Sequence, residues 1–154
     1  MIKVIGLDKN YISHFKRLFT EYYSELDCGE DIAHLLDEYI LPDFEAGLIK
    51  IAIAFDGGDA VGFIIYQIDD IDNEWNYKEG WGDIREIFVV PSHRRRGFAR
   101  ALIDEAEAHL RNTGAEKAYC LPCGSAIPLF TACGYKNTAN YDEEFDCFVF
   151  EKKF

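Results

Sequence analysis

Asp83-Ile84-Arg85-Glu86-Ile87-Phe88-Val89-Val90-Pro91-Ser92-His93-Arg94-Arg95-Arg96-Gly97-Phe98-Ala99-Arg100, continued by Ala101 to Leu110, is the stretch that decides the fold. Ile84 to Val90 is β-branched and apolar, the composition of a strand, and Pro91 stops it by lacking a ladder donor. After the turn, Leu102, Ile103, Ala106 and Leu110 recur at helical spacing, which assigns Asp104, Glu105, Glu107 and Arg111 to the opposite, solvent face. The reading is a strand, a tight basic turn and a helix that starts close to Gly97. The first N–H groups of a helix have no partner within it and carry the positive end of its dipole, so this junction suits an anion. Gly97 and Ala99 would let a phosphate oxygen approach the backbone, and Arg94, Arg95 and Arg96 add forked donors. A basic run on a solvated face is the plainer alternative. The place of this one, between a buried strand and a long helix in an acidic chain, favours the anion site.

The chain has 154 residues, 49% of them hydrophobic, which suits one α/β domain over residues 1–154 with a sizeable core. A net charge of -12 would repel a nucleic-acid backbone, so the basic turn is a local exception sized for a small anion. No apolar run is long enough for a bilayer and the start lacks the apolar segment of a secretory signal, so a soluble, cytoplasmic protein is expected, without a membrane partner. Five cysteines, Cys28, Cys120, Cys123, Cys133 and Cys147, are an odd number without secretory context and predict no disulfide framework. Cys120 and Cys123 have the spacing of a redox pair, but Cys120 ends an apolar strand rather than opening a helix, and no second pair offers zinc four ligands. No metal is predicted.

Ile2 to Ile5 reads as a first strand, and Asp8 or Asn10 caps a helix carrying Ile12, Phe15, Leu18, Phe19 and Tyr22. A second helical stretch starts at Asp31 and is closed by Pro42. Leu48 to Phe55 and Ala60 to Gln67 are strands joined by a hairpin at Asp56-Gly57-Gly58-Asp59. The Asp69 to Gly82 loop is long and polar, and its acids with Trp75, Tyr77 and Trp81 could seat a cationic amine, although a solvated hairpin loop would look the same. Asn112-Thr113-Gly114 stops the central helix, Lys117 to Leu121 is a strand, Ser125 to Ala132 a short helix, and two strands, from Tyr135 and from Asp146 to Lys152, finish the chain. That order predicts a mixed α/β sandwich.

Val89 to Leu102 resembles the acyl-CoA signature of the GNAT N-acetyltransferases, Arg/Gln-x-x-Gly-x-Gly/Ala, with Arg94, Gly97 and Ala99 at the defining positions. Ala126 to Tyr135 is similar to the family's second signature, Asn-x-x-Ala-x-x-Leu-Tyr-x-x-x-Gly-Phe. The resemblance implies a mostly antiparallel central sheet flanked by helices, and a donor, acetyl-CoA. It places the pyrophosphate on Arg94, Arg95, Arg96, Gly97, Phe98, Ala99 and Arg100, and the pantetheine arm beside Phe88, Val89 and Val90, with Phe130 at the same site. It implies that the N–H of Val89 polarises the thioester carbonyl. The activity implied is acetyl transfer to a primary amine of a small molecule or peptide by direct attack in a ternary complex.

The resemblance also implies that the first helices form one wall of the acceptor site, with Tyr22, Tyr23 and Tyr39 as candidate lining residues or ordinary core. Glu86 and Asp83 are the candidate bases, and their odd spacing sends them to opposite faces of an unbulged strand. Arg85 stands where some relatives carry Glu. Counting back from Gly134 puts Phe130 at the place of the family's tyrosine acid and Cys123 at that of its asparagine, so no general acid is assigned. Two other readings stand beside this one: an acyl-CoA-binding regulatory module with degenerate catalysis, and a redox protein built on Cys120 and Cys123. The apolar C-terminal strands could pair with a second copy to give a homodimer.

Overall fold

The computed structural model describes all residues from Met1 to Phe154. Its strands are β1 (Ile2–Gly6), β2 (Lys50–Asp56), β3 (Asp59–Ile68), β4 (Gly82–Val89), β5 (Lys117–Cys120), β6 (Lys136–Asp142) and β7 (Cys147–Lys153). They form one seven-stranded sheet in the order β1-β2-β3-β4-β5-β7-β6. Every neighbouring pair is antiparallel except β4 and β5. The helices are α1 (Ile12–Leu26), α2 (Ile32–Leu35), α3 (Leu41–Glu45), α4 (Phe98–Asn112) and α5 (Ala126–Ala132).

Strand β3 is apolar on both sides because both sides are covered. Phe63 and Ile65 face α1, where they meet Phe15, Leu18 and Phe19, whereas Ile64 and Tyr66 belong to the opposite core with Leu102, Ile103, Ala106 and Leu110 of α4. Burying each such side chain contributes about 1.5–3 kcal/mol, which fixes the helical periodicity of α1 and α4 against the sheet. The predicted hairpin is present, with Asp56 opposite Asp59. The sheet is the anticipated mixed, mostly antiparallel one.

Four expectations are corrected. Pro42 does not close the second helix. A π-helical turn over Leu36–Ile40 runs into α3, which places Pro42 in a first turn where no N–H is required. The stop comes at Gly47, whose φ of 78° lets Gly47 and Leu48 donate back to the Phe44 and Asp43 carbonyls. Glu107 is not solvated: it is buried, accepts the Tyr135 hydroxyl at 2.8 Å and pairs with Lys152 at 2.8 Å. A disulfide is present, Cys123–Cys147, while Cys28, Cys120 and Cys133 are free. This removes the Cys120/Cys123 redox pair, since Cys123 is bonded across to β7. Finally, β4 carries a bulge, so Asp83 and Glu86 share a face rather than taking opposite ones.

The bulge is read from the register. Ile65 opposes Glu86 and Tyr66 opposes Ile84, which leaves Arg85 as the extra residue. Near the other end of the same pair, a Cβ on Gly62 would lie 2.6 Å from the Phe88 carbonyl oxygen and 3.1 Å from Val89 Cγ2. Gly62→Ala is therefore expected to destabilise by ~1–3 kcal/mol, read as a Tm fall of several degrees in thermal unfolding. An unchanged Tm would show that the β3–β4 spacing is not tight.

Candidate active site

The turn after β4 is built to expose backbone donors. Val90 leads into a 3-10 turn over Pro91–His93, and Gly97, with φ 91°, caps α4 in a conformation that lets the helix start abruptly. Arg95 is also left-handed, with φ 61°. His93 and Arg94 donate backwards to Val90 and Pro91, and the next backbone donor with a protein acceptor is Ala101, to Gly97. The N–H groups of Arg95, Arg96, Gly97, Phe98, Ala99 and Arg100 thus make no hydrogen bond to backbone or side chain. They lie at the positive end of a 15-residue helix.

The three arginines differ in role. Arg94 is turned inward: its Nε donates to the Val89 carbonyl at 2.8 Å, its fork meets Glu25 of α1 at 2.7 Å, and its plane lies over Phe88. That hydrogen bond holds the Glu25 carboxyl below its usual range. Arg96 leans toward Asp56 at 3.6 Å and over Phe98. Asp56 also accepts from or pairs with His93 at 3.0 Å, and its pKa is lowered chiefly by that contact. Arg95 and Arg100 are exposed and without an ion-pair partner. Phe98 is buried and Ala99 half-buried against the α4 core.

Beside this turn, β4 loses its neighbour. Strands β4 and β5 pair only at Gly82/Ala118 and Asp83/Tyr119, so from Ile84 onward the β5-facing side of β4 is open. Val90 donates to the Val61 carbonyl of β3, and strand alternation turns the N–H and C=O of Val89 the other way, toward the gap. Its carbonyl there is taken by Arg94.

The bulge brings both carboxylates onto the α1 side of the sheet, because Glu86 and Asp83 oppose Ile65 and Gln67, two residues apart on β3. Glu86 accepts the Tyr23 hydroxyl at 2.5 Å. Burial raises its pKa, opposed by that hydrogen bond and by Arg85. Asp83 is pushed up to about 8, first by burial and then by neighbouring Asp69, with Arg85 and the Tyr119 hydroxyl pulling the other way. Arg85 is held by Gln67 Oε1 at 3.1 Å. Tyr22 packs on Phe63 and Phe88 near Tyr23, whereas Tyr39 stacks only on His34 at the surface.

Near the second signature, Tyr119, Tyr135 and Cys123 are all committed to other partners, while the free thiols Cys120 and Cys133 are buried with their pKa values raised by burial. Tyr119 donates to Asp69, Tyr135 donates to Glu107, and Cys123 is a disulfide. Phe130 is buried, edge-on to Tyr135 at 5.3 Å. Asp69 was not singled out by sequence, yet it organises the long loop: its carboxylate accepts from Gln67, Tyr119 and the N–H groups of Tyr77 and Lys78. Its place at the start of the loop was the only available signal.

The family model described as the acetyltransferase (GNAT) family matches residues 12–135. The chain belongs to the GNAT acetyltransferases. At the level of this family the activity is acyl-CoA-dependent acetyl transfer. No curated protein matches the sequence. Among solved structures, a GNAT-family acetyltransferase from Staphylococcus aureus Mu50 is similar with TM-score 0.76 and 15% identity, covering 99% of each chain. AAC(6')-Iy, in complex with the bisubstrate analog CoA-S-monomethyl-acetylneamine, gives TM-score 0.74 and 23% identity over 92% of this chain and 95% of that one. The PaiA N-acetyltransferase of Thermoplasma acidophilum, in complex with coenzyme A, gives 0.73 and 15% over 100% and 99%. These likenesses show the fold. No helix of this GNAT protein is long and apolar enough to cross a membrane.

The raised carboxylates give a pH test. A carboxyl with a folded pKa above its unfolded value binds more protons when folded, so its stabilising effect is complete below about pH 4 and is lost as pH rises toward the folded value of about 8. Thermal unfolding of the wild type should therefore show Tm declining between pH 5 and 8. Asp83→Asn should flatten that decline, and an unaltered slope would show that Asp83 is not held protonated.

Proposed function

We propose that this protein transfers an acetyl group from acetyl-CoA to a primary amine. The observation that carries the proposal is the run of partnerless N–H groups from Arg95 to Arg100 at the start of α4. A pyrophosphate is the anion whose size and charge match such a run beside Arg95 and Arg100. The residues present thus fit coenzyme A, which when bound supplies an activated thioester acyl group.

The chain's own groups then have distinct tasks. The N–H of Val89, directed into the gap beside β4, is positioned to hold a carbonyl oxygen that gains charge. Arg94 supports it by occupying the Val89 carbonyl and tying the strand to α1. Glu86 lies beyond the last β4–β5 pair and is the better placed of the two carboxylates to take a proton from an amine; Asp83 lies at that pair, deeper in the fork. Tyr23 orients Glu86. Holding amine and acyl group together on one side of β4 supplies much of the rate advantage.

Calorimetric titration with acetyl-CoA and with coenzyme A tests the cradle. Gly97→Asp, which adds a carboxylate at the anion, and the milder Arg95→Glu should each weaken binding at least tenfold. Unchanged affinity in both would sink the assignment. With an accepted amine, Glu86→Gln should lower kcat by 10²–10⁴ while leaving coenzyme A affinity intact. Tight cofactor binding without turnover of any amine would instead mark a binding module.

A further inference from the structure

The Asp69–Gly82 loop and the β6–β7 hairpin meet on the sheet face that carries Asp83 and Glu86, and they meet through aromatic rings. The Trp75 indole lies nearly parallel to Tyr77, 7° apart with centroids at 6.1 Å, and edge-on to Phe145 at 5.0 Å. Tyr77 leans on Tyr119 at 5.5 Å, and Tyr119 is the residue opposite Asp83. The rings are held in place. Trp75 Nε1 donates to the Tyr119 hydroxyl at 3.1 Å, the Trp75 carbonyl accepts from Gln67 at 2.8 Å, and Phe145 stands two residues from the disulfide at Cys147. Yet Tyr77 and Phe145 remain 44% and 48% exposed.

The charges around this cluster that lack an ion-pair partner are acidic, and the nearby Lys78 is paired with Glu151. Asp72, Glu74 and Glu79 on the loop and Glu143, Glu144 and Asp146 on the hairpin are exposed, and none is in an ion pair. Trp81, expected as part of an amine seat, is excluded from it, because the protein's own Lys78 and Lys117 lie over its ring at 4.7 and 5.0 Å. Lys78 also approaches Tyr77 at 5.5 Å, while Trp75 and Phe145 have no cation of the protein against them. An ordered ring cluster with an acidic rim attracts a desolvating ammonium by cation–π contact and by field.

We propose that Trp75, Tyr77 and Phe145 form a subsite for a second cationic centre of the acceptor, which is a linear aliphatic diamine or polyamine. This deepens the acetyltransferase reading and rests on it. The two carboxylates of β4 oppose residues two apart on β3, so Asp83 to Glu86 advances by about 7 Å. The rings begin a further ring contact away, with Tyr77 5.5 Å from the Tyr119 that faces Asp83, a span suited to an extended linear chain. One ammonium sits at the rings while the amine at the other end lies by Glu86. Arg85 balances part of the charge along the path, and the aliphatic stem passes it without a charge of its own.

Steady-state kinetics should compare α,ω-diaminoalkanes with 1-aminoalkanes of equal length at saturating acetyl-CoA. The expected result is a kcat/KM ratio of about tenfold in favour of the diamine, the equivalent of ~1.4 kcal/mol. The ratio should fall toward one in Phe145→Ala, with the KM for acetyl-CoA unchanged. Acetylation of both series without preference, or a preference that survives Phe145→Ala, overturns this inference and leaves the acetyltransferase reading standing. A second measurement does not depend on turnover. Trp81→Phe leaves Trp75 as the sole tryptophan, and its fluorescence should change on titration with a diamine at concentrations where the monoamine has no effect; an identical response to both overturns the subsite even in a protein that acetylates neither.

Discussion

The site depends on β4 losing its neighbour after Asp83. A strand paired on both sides spends all its backbone donors and acceptors on the sheet, whereas β4 beyond Asp83 pairs with β3 alone. Arg94 occupies the Val89 carbonyl and Phe88 anchors the strand in the α1-side core, which leaves the Val89 N–H open toward the gap. The bulge at Arg85 then sets the phase of everything on the strand. Without the extra residue, either Asp83 or Glu86 would point into the α4 core, where an unpaired carboxylate is costly.

Two opposed potentials are kept apart by this geometry. The start of α4 gathers positive charge and free N–H groups on one side of the gap, while the other side carries the Asp69 carboxylate and the exposed acids of the loop and the β6–β7 hairpin. In a chain of net charge -12 the first is the exception and the second the rule. Under the proposed function the separation assigns an anionic donor and a cationic acceptor to different approaches, so that neither competes for the other's seat.

Local signals were the legible ones. The strand–turn–helix, the Asp56–Asp59 hairpin and the packing stripe of α4 depend on neighbours within a few residues, and each appears in the structure where composition and periodicity put it. What escaped was set by distant partners. Glu107 sits on the polar side of α4 by periodicity, but Tyr135 and Lys152, 28 and 45 residues away, bury and satisfy it. The Arg85 bulge is a property of the β3–β4 register, and Cys123 meets Cys147 across 24 residues. Arg94 looked like a phosphate ligand by position, and only the fold reveals that Glu25, 69 residues away, already holds its fork. The partnerless N–H groups at the start of α4 are backbone groups, which depend on the helix start rather than on any one side chain.

Phe130 shows how one replacement redistributes a task. A hydroxyl at that position would need a partner inside the α4-side core, and the core instead offers the edge of Tyr135, whose own hydroxyl is committed to Glu107 and through it to Lys152. The hydroxyl of Tyr135 is thereby committed, and the thiols left on that side, Cys120 and Cys133, are buried in the same core. Groups that gain or hold protons near neutral pH lie on the other side, where burial lifts Asp83 to about 8 and raises Glu86 as well. If this chain turns over acetyl-CoA, proton traffic runs along the α1-side face, through Glu86, Tyr23 and Asp83, and α5 contributes shape rather than chemistry. The same face carries the ring cluster at Trp75, tied through Tyr119 to Asp69, so under the proposed function acceptor recognition and proton handling would share one network.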